Sequence, residues 1–172
     1  MSKNYIGRAP AAPAEAVVVP SDAGRLLQSA AHVRTDYATG TTVMPVDDTI
    51  PQITEGNEFF SLVFTPQQIG SRCRVRVVAS IGTNTTFYVA GAVFRDAVAP
   101  ALVATTAPTD TANRQATLVM EHEFFSASLD PITFTGRFGI SAAGSTYLNG
   151  GNAGRYFGGV YESFLKVDEY SV

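Results

Sequence analysis

The chain has no tryptophan, one cysteine and two histidines in 172 residues. A lone Cys73 excludes a disulfide within the chain. Two histidines leave a zinc site short of ligands unless carboxylates or another subunit contribute. Charged residues make up 16% of the chain, against about 25% in an average domain. A surface this poor in charge points to contact with protein, and so to oligomerisation. A neutral monomer rich in Thr, Ser and Asn is the alternative. The net charge is −3, so the basic stripe that a phosphate backbone demands is missing and nucleic acid is not an expected partner. No apolar run approaches the roughly 20 residues that span a bilayer, and membrane insertion is not expected. Lys3 and Arg8 precede no continuous apolar stretch, because Pro10, Pro13 and Glu15 interrupt it, so a secretory signal is not expected either.

What the chain does have is alternation. In Arg72-Cys73-Arg74-Val75-Arg76-Val77-Val78-Ala79-Ser80-Ile81 the three arginines point one way and the apolar residues point the other. Side chains alternate across a strand, so this is a strand with one buried face. Cys73 is among the inward residues and reads as an inert buried thiol. The design recurs. Phe60, Leu62 and Phe64 share a face, and their strand stops before Pro66. Gly82-Thr83-Asn84 reads as a hairpin loop, followed by a strand with Phe87, Val89 and Val93 on one side and Tyr88 and Phe94 on the other. Residues 97–113 read as a loop or a poorly paired edge. Leu118, Met120, His122 and Phe124 alternate with Thr117, Val119, Glu121 and Glu123. Ile132, Phe134, Phe138 and Ile140 alternate with Thr133, Thr135 and Arg137, and Leu165 and Val167 face inward on a last strand. Short strands parted by Gly, Asn and Pro clusters predict an all-β fold, an antiparallel β-sandwich or jelly-roll-like domain over residues 35–172.

Residues 1–34 read differently. Three prolines and many alanines in residues 1–20 predict an extended arm with little to bury on its own. Val17, Val18 and Val19 could add a short strand to a neighbour's edge. Ser21 or Asp22 can cap a short helix that places Leu26, Leu27, Ala30 and Val33 on one stripe, weakened by Gly24, with His32 wet at its end. Val17, Val18, Val19, Leu26 and Leu27 are the expected anchoring residues.

Candidate chemistry is sparse, and no catalytic residue, cofactor or metal is assigned. Asp47, Asp48, Glu55 and Glu58 are the densest acidic cluster. A turn in which aspartates accept backbone N–H groups is the expected use. A calcium site and a glycan depolymerase using Asp48 with Glu55 or Glu58 are the alternatives. In Glu121-His122-Glu123 a strand would turn the glutamates away from the histidine, so the three do not converge. Arg95 and Asp96 read as a pair that pins a strand end. Asn149-Gly150-Gly151 is a strong turn signal, surrounded by Tyr147, Arg155, Tyr156, Phe157 and Tyr161. Such residues suit a subunit interface, where Tyr and Arg are enriched, or a surface that stacks on sugar. Arg72, Arg74 and Arg76 are expected to line subunit contacts, meeting Asp or Glu of neighbours.

Three blocks in order resemble one family. The run Thr41-Thr42-Val43-Met44-Pro45-Val46-Asp47-Asp48-Thr49-Ile50-Pro51-Gln52-Ile53-Thr54-Glu55-Gly56 resembles the opening of a β-domain found in tailed-bacteriophage virion proteins. Val93-Phe94-Arg95-Asp96 is similar to its middle motif. Asn149-Gly150-Gly151, Phe157-Gly158-Gly159 and Ser163-Phe164-Leu165-Lys166-Val167-Asp168-Glu169-Tyr170 are similar to its close. Residues 1–10 also resemble leaders of phage structural proteins, whereas residues 11–34 have no counterpart. The resemblance implies a module of a capsid surface, head fibre or tail fibre, commonly trimeric, made in the host cytoplasm and carried on the virion. It transfers no catalytic residues. A shaft is missing, so a capsid decoration or head-fibre knob is preferred to a long tail fibre. The implied partners are two further copies in a homotrimer, other virion proteins such as the major capsid protein, and, in a receptor-binding alternative, host surface glycan.

Overall fold

The structure, a computed structural model, describes residues 23–110, 112 and 114–172. Val17, Val18 and Val19 lie outside the described residues. The strands are β1 (Leu26–Arg34), β2 (Ala38–Gly40), β3 (Asn57–Phe64), β4 (Arg72–Thr83), β5 (Tyr88–Arg95) and β6 (Val103–Pro108). They continue with β7 (Gln115–Phe125), β8 (Ile132–Ile140), β9 (Thr146–Leu148), β10 (Gly150–Gly151), β11 (Gly154–Arg155) and β12 (Ser163–Tyr170). All pairings between them are antiparallel.

The arginine block is the centre of the first sheet. One side of β4 pairs with β7 along its length. The other side pairs with β12 over its first part and with β9 over its last. Beyond these, β1 pairs with β12 and β2 with β9. The second sheet runs β3–β8–β5–β6. The two pack as a sandwich around the inward residues that period two predicts. Cys73, Val75, Val77, Ala79 and Ile81 are fully buried, as are Phe134 and Phe138 from the facing sheet. Each such Val or Phe contributes roughly 1.5–3 kcal/mol by leaving water. Burial also pushes the Cys73 thiol above its ordinary pKa, which keeps it protonated and unreactive.

The middle strands of the second sheet, β5 and β8, are buried on both faces. Phe94 and Ala92 point away from the main core and pack with Met44, Ile53 and Ala101. The segment 42–56 makes this possible by crossing the outer face of that sheet. Met44 N–H donates to the Ile140 carbonyl at 3.0 Å. Gly139 permits the crossing, since a Cβ there would sit 2.7 Å from the Thr42 carbonyl oxygen. Arg137 ties down the far end, donating to the carbonyls of Glu55 and Gly56 at 2.9 and 2.8 Å.

Residues 26–34 are a strand and not the expected helix. Leu26 and Val33 of the expected stripe are about half exposed, and Gln28, Ala30, His32 and Arg34 turn inward. The free edge of β12 decides this. Its backbone groups need partners, and a ladder along β1 satisfies both strands, which outweighs a weak local preference. His32 is half-buried, packs edge-on to Phe60 and accepts the Ser61 N–H at 3.1 Å. The sandwich therefore begins ahead of residue 35. Two smaller expectations also change. Phe87 is exposed, because the chain turns there between β4 and β5. Gly82 and Thr83 extend β4, so the hairpin loop starts at Asn84. Part of the 97–113 segment is β6, an edge strand as one of its two readings had it, paired with β5 along its length.

One buried acid fastens a corner. Glu169 has no exposed surface. Its carboxylate accepts from the N–H groups of Gln67 and Gln68, the Ser71 hydroxyl and the Gln28 amide, at 2.6–3.0 Å. Loss of solvent is the largest single influence and raises its pKa. The donors together outweigh it, and the carboxyl titrates below its usual range.

Candidate functional site

The arginines of β4 form a ladder on the outer face of the first sheet. Arg72 meets Glu123 at 3.6 Å, and Glu121 meets Arg74 at 3.7 Å and Arg76 at 3.9 Å. Arg72 and Arg74 also lie over the Tyr170 ring, and Arg74 donates to its hydroxyl at 3.0 Å. The acids that meet these arginines come from β7 of the same chain, because β4 and β7 pair in a register that sets Arg74 opposite Glu123 and Arg76 opposite Glu121. A neighbouring subunit is not needed to balance them. Exposed pairs of this kind contribute about 0–1 kcal/mol each.

Asp47 and Glu55 of the acidic cluster hold turns, Glu58 lies in β3, and Asp48 is exposed. Asp47 accepts from the Thr49 hydroxyl and from the Thr49 N–H, the latter at 2.9 Å, and these bonds, the hydroxyl first, hold its carboxyl below the usual range. Glu55 accepts the Gln52 N–H at 3.0 Å, and Glu58 pairs with Arg137. Among the described residues no three His, Cys, Asp or Glu side chains gather as metal ligands would. Glu121 and Glu123 face the arginine ladder while His122 points to the other face, opposite Val75. Arg95 pairs with Asp96 at 3.5 Å, and Asp96 pins the strand end by accepting the Thr133 N–H at 2.9 Å. An open cleft of about 210 Å³ lies between the segment from Met44 to Pro51 and the strands β5 and β6. It is lined mainly by Met44, Pro45, Val46 and small residues, with no paired titratable groups.

The most developed feature interrupts a central strand. β9 and β12 lie along β4 in the same direction, with Leu148 opposite Ile81 and Phe164 opposite Val78. Asn149 still donates its N–H to the Ser80 carbonyl at 3.1 Å, and Ser163 Oγ accepts the Ser80 N–H at 3.0 Å. Residues 150–162 are thus looped out of the middle of a strand, which resumes almost where it stopped. Compact surface loops with adjacent ends are a frequent place for function.

Asn149 is the lock at the neck. It is fully buried at φ 55, a conformation asparagine tolerates. Its amide donates to the carbonyls of Arg34 and Asp36 at 2.9 and 3.1 Å, where β1 breaks before β2. Its side-chain oxygen accepts from Ser163 at 2.6 Å. Gly150 follows because a Cβ there would lie 2.3 Å from the Gly154 carbonyl oxygen. Tyr147 is buried, stacks on Tyr37 and donates to Asn152 at 2.9 Å. Tyr37 in turn donates to the Gly151 carbonyl at 3.0 Å. Tyr147 and Asn149 therefore build the scaffold and do not reach the surface. Asn149→Gly keeps the backbone conformation and strands three polar partners. It is expected to lower the unfolding free energy by about 3 kcal/mol in denaturant titration, and to open residues 150–162 to protease.

The remaining site residues reach solvent. Tyr161 covers Ser80 and accepts its hydroxyl, which lays the loop on the same outer face as the arginine ladder. Phe157 is 73% exposed and Val160 83%. Tyr156 and Tyr161 stand edge-on to the Phe157 ring, with centroids 6.3 and 5.5 Å away. Phe157, Gly158 and Gly159 all have positive φ, at 50, 62 and 99.

No family model and no curated protein matches the chain. Among solved structures it is similar to the EclA C-terminal domain, a sugar-binding protein, at 10% identity over 83% of this chain and 86% of that one, with a TM-score of 0.35. It is also similar to dimeric latent PorU from Porphyromonas gingivalis, at 7% identity and TM-score 0.39 over 88% of this chain. A third is infectious bursal disease virus, Gx strain, at 13% identity and TM-score 0.38 over 87% of this chain. The chain spans 14% of the PorU chain and 38% of the viral one.

The sequence singled out Asn149-Gly150-Gly151 and the loop's aromatics, but not the partners that close its neck on Asn149. Tyr37, Asp36 and Ser163 enter only through pairings between strands far apart in the chain. Leu26 and Leu27, expected to anchor, sit instead in β1 beside Tyr170, with a bulge between Leu26 and Gln28.

Proposed function

We propose that this chain is a non-enzymatic structural module of a tailed-phage particle: an oligomeric β-knob that decorates the capsid surface and is held there by its N-terminal segment. The supporting observation is that the first two of the three blocks behind the family resemblance pack into one buried cluster, and the third closes the neck of its own loop. Met44 of the first packs with Phe94 of the second in one buried cluster. Asn149 and Ser163 of the third bond to each other across the loop neck. Two blocks some forty residues apart that meet in one buried cluster are more specific than short matches alone. A homotrimer and contact with the major capsid protein belong to this reading.

A second reading, attachment to host surface glycan from a tail fibre, is favoured by the exposed Phe157 beside the half-buried Tyr156 on a braced loop. Antibody against the chain, applied to density-purified particles, separates the two. Label over the heads and a fixed ratio to the major capsid protein is the expected result. Label at the tail tips supports the second reading. Chain found only in the soluble fraction overturns both.

A further inference from the structure

Phe157 is unfavourable twice over. A large aromatic ring stands mostly in water, and its backbone is in the left-handed region, a genuine outlier for a bulky side chain. The two glycines that follow hold the turn, and Tyr156 and Tyr161 brace the ring edge-on so that a face stays open.

A second observation lies beside it. Arg155 is exposed, and its guanidinium lies against Gly159, where an added Cβ would be 2.8 Å from Nη1. Arg34, Arg72, Arg74, Arg76, Arg95, Arg114 and Arg137 all meet a carboxylate, and Arg25 is also engaged. Among the described residues Arg155 meets no carboxylate. Asn152 uses its side-chain oxygen on Tyr147 and leaves its amide protons unused, and the Tyr156 hydroxyl has no partner among the described residues.

We infer that residues 150–162 form a recognition loop for a carboxylate-bearing sugar, whose ring stacks on Phe157 and whose carboxylate pairs with Arg155. A planar guanidinium matches a carboxylate in two parallel hydrogen bonds. The C–H face of a pyranose matches an open aromatic ring, and its hydroxyls find the Asn152 amide and the Tyr156 hydroxyl at the rim. A protein partner would need roughly 800 Å² of contact on this side. The polar rim set by Asn152 and Arg155 fits a small polar ligand better. The inference deepens the glycan reading above and rests on it.

The test uses the full chain in surface plasmon resonance. The probes are glucuronate oligosaccharides and oligosaccharides ending in N-acetylneuraminic acid, each beside its methyl ester. At least one acid is expected to bind, with its ester at least about tenfold weaker. Arg155→Gln removes that acid–ester difference. Phe157→Ala weakens acid and ester alike and leaves Tm unchanged. Phe157→Gly weakens binding as Phe157→Ala does, and raises Tm because the strain is released. Acid and ester binding equally, or no acid binding at millimolar concentration, overturns the inference. Neutral oligosaccharides binding as well as acidic ones would overturn it too while leaving the glycan reading standing. Unlabelled particles would remove the virion assignment without touching the sugar measurement.

Discussion

Glu169→Gln is expected to lower the unfolding free energy by about 3 kcal/mol, a fall in Tm of roughly 6–12 °C for a chain of this size. Four donors converge on the carboxylate: two backbone N–H groups, a hydroxyl and an amide. Glutamine keeps the shape but offers one acceptor oxygen and turns an NH2 group towards donors. Buried donors without acceptors carry the full penalty of lost solvent. The effect has a pH signature. The folded carboxyl titrates below its unfolded value of about 4.3. Its contribution is complete above that value and disappears as pH falls through the folded pKa. The stability gap between wild type and Glu169→Gln therefore narrows below about pH 4, and denaturant titrations at pH 7 and pH 3 measure it.

Phe138→Ala is expected to cost about 3–5 kcal/mol. The ring has no exposed surface and sits 6.1 Å from Phe59 and 6.0 Å from Phe60, centroid to centroid. It lies over Gly91, its partner across β5 and β8. A Cβ on Gly91 would come within 2.6 Å of the ring. Gly91→Ala alone should then cost about 1–3 kcal/mol through overpacking. In the Phe138→Ala background the added methyl enters vacated space, so the double variant should be more stable than the sum of the singles by about 1 kcal/mol. Additive losses would mean that the ring and the glycine do not share that contact.

Much of this body could be read from period two. Wherever one face of a strand was apolar and the other polar, as in β4, β7 and β8, the inward residues fell where alternation placed them. The failures have a common cause. In β1 the inward positions hold Gln28, Ala30, His32 and Arg34, which match no simple pattern, and Leu26 and Val33 fit a helical stripe by spacing alone. Pairing with β12, distant in the chain, decided the outcome. The outward burial of Phe94 was hidden for the same reason, since a segment some forty residues earlier covers it. At the candidate site, local turn chemistry marked Asn149-Gly150-Gly151. The lock that Asn149 forms with Arg34, Asp36 and Ser163 depends on which strands lie side by side, and no local signal carries that.

The pairing of β1 with β12 bears on how the body would carry a mechanical load. Leu26 lies opposite Tyr170 at one end of the ladder, and Arg34 opposite Ser163 at the other. Under the proposed function, a tether ahead of Leu26 and a ligand held at Phe157 would pull from opposite ends of two antiparallel strands. Force then runs along the ladder in shear, and its hydrogen bonds resist together instead of unzipping one at a time. A knob held at one end and tugged at the other would be strongest in the direction in which attachment strains it.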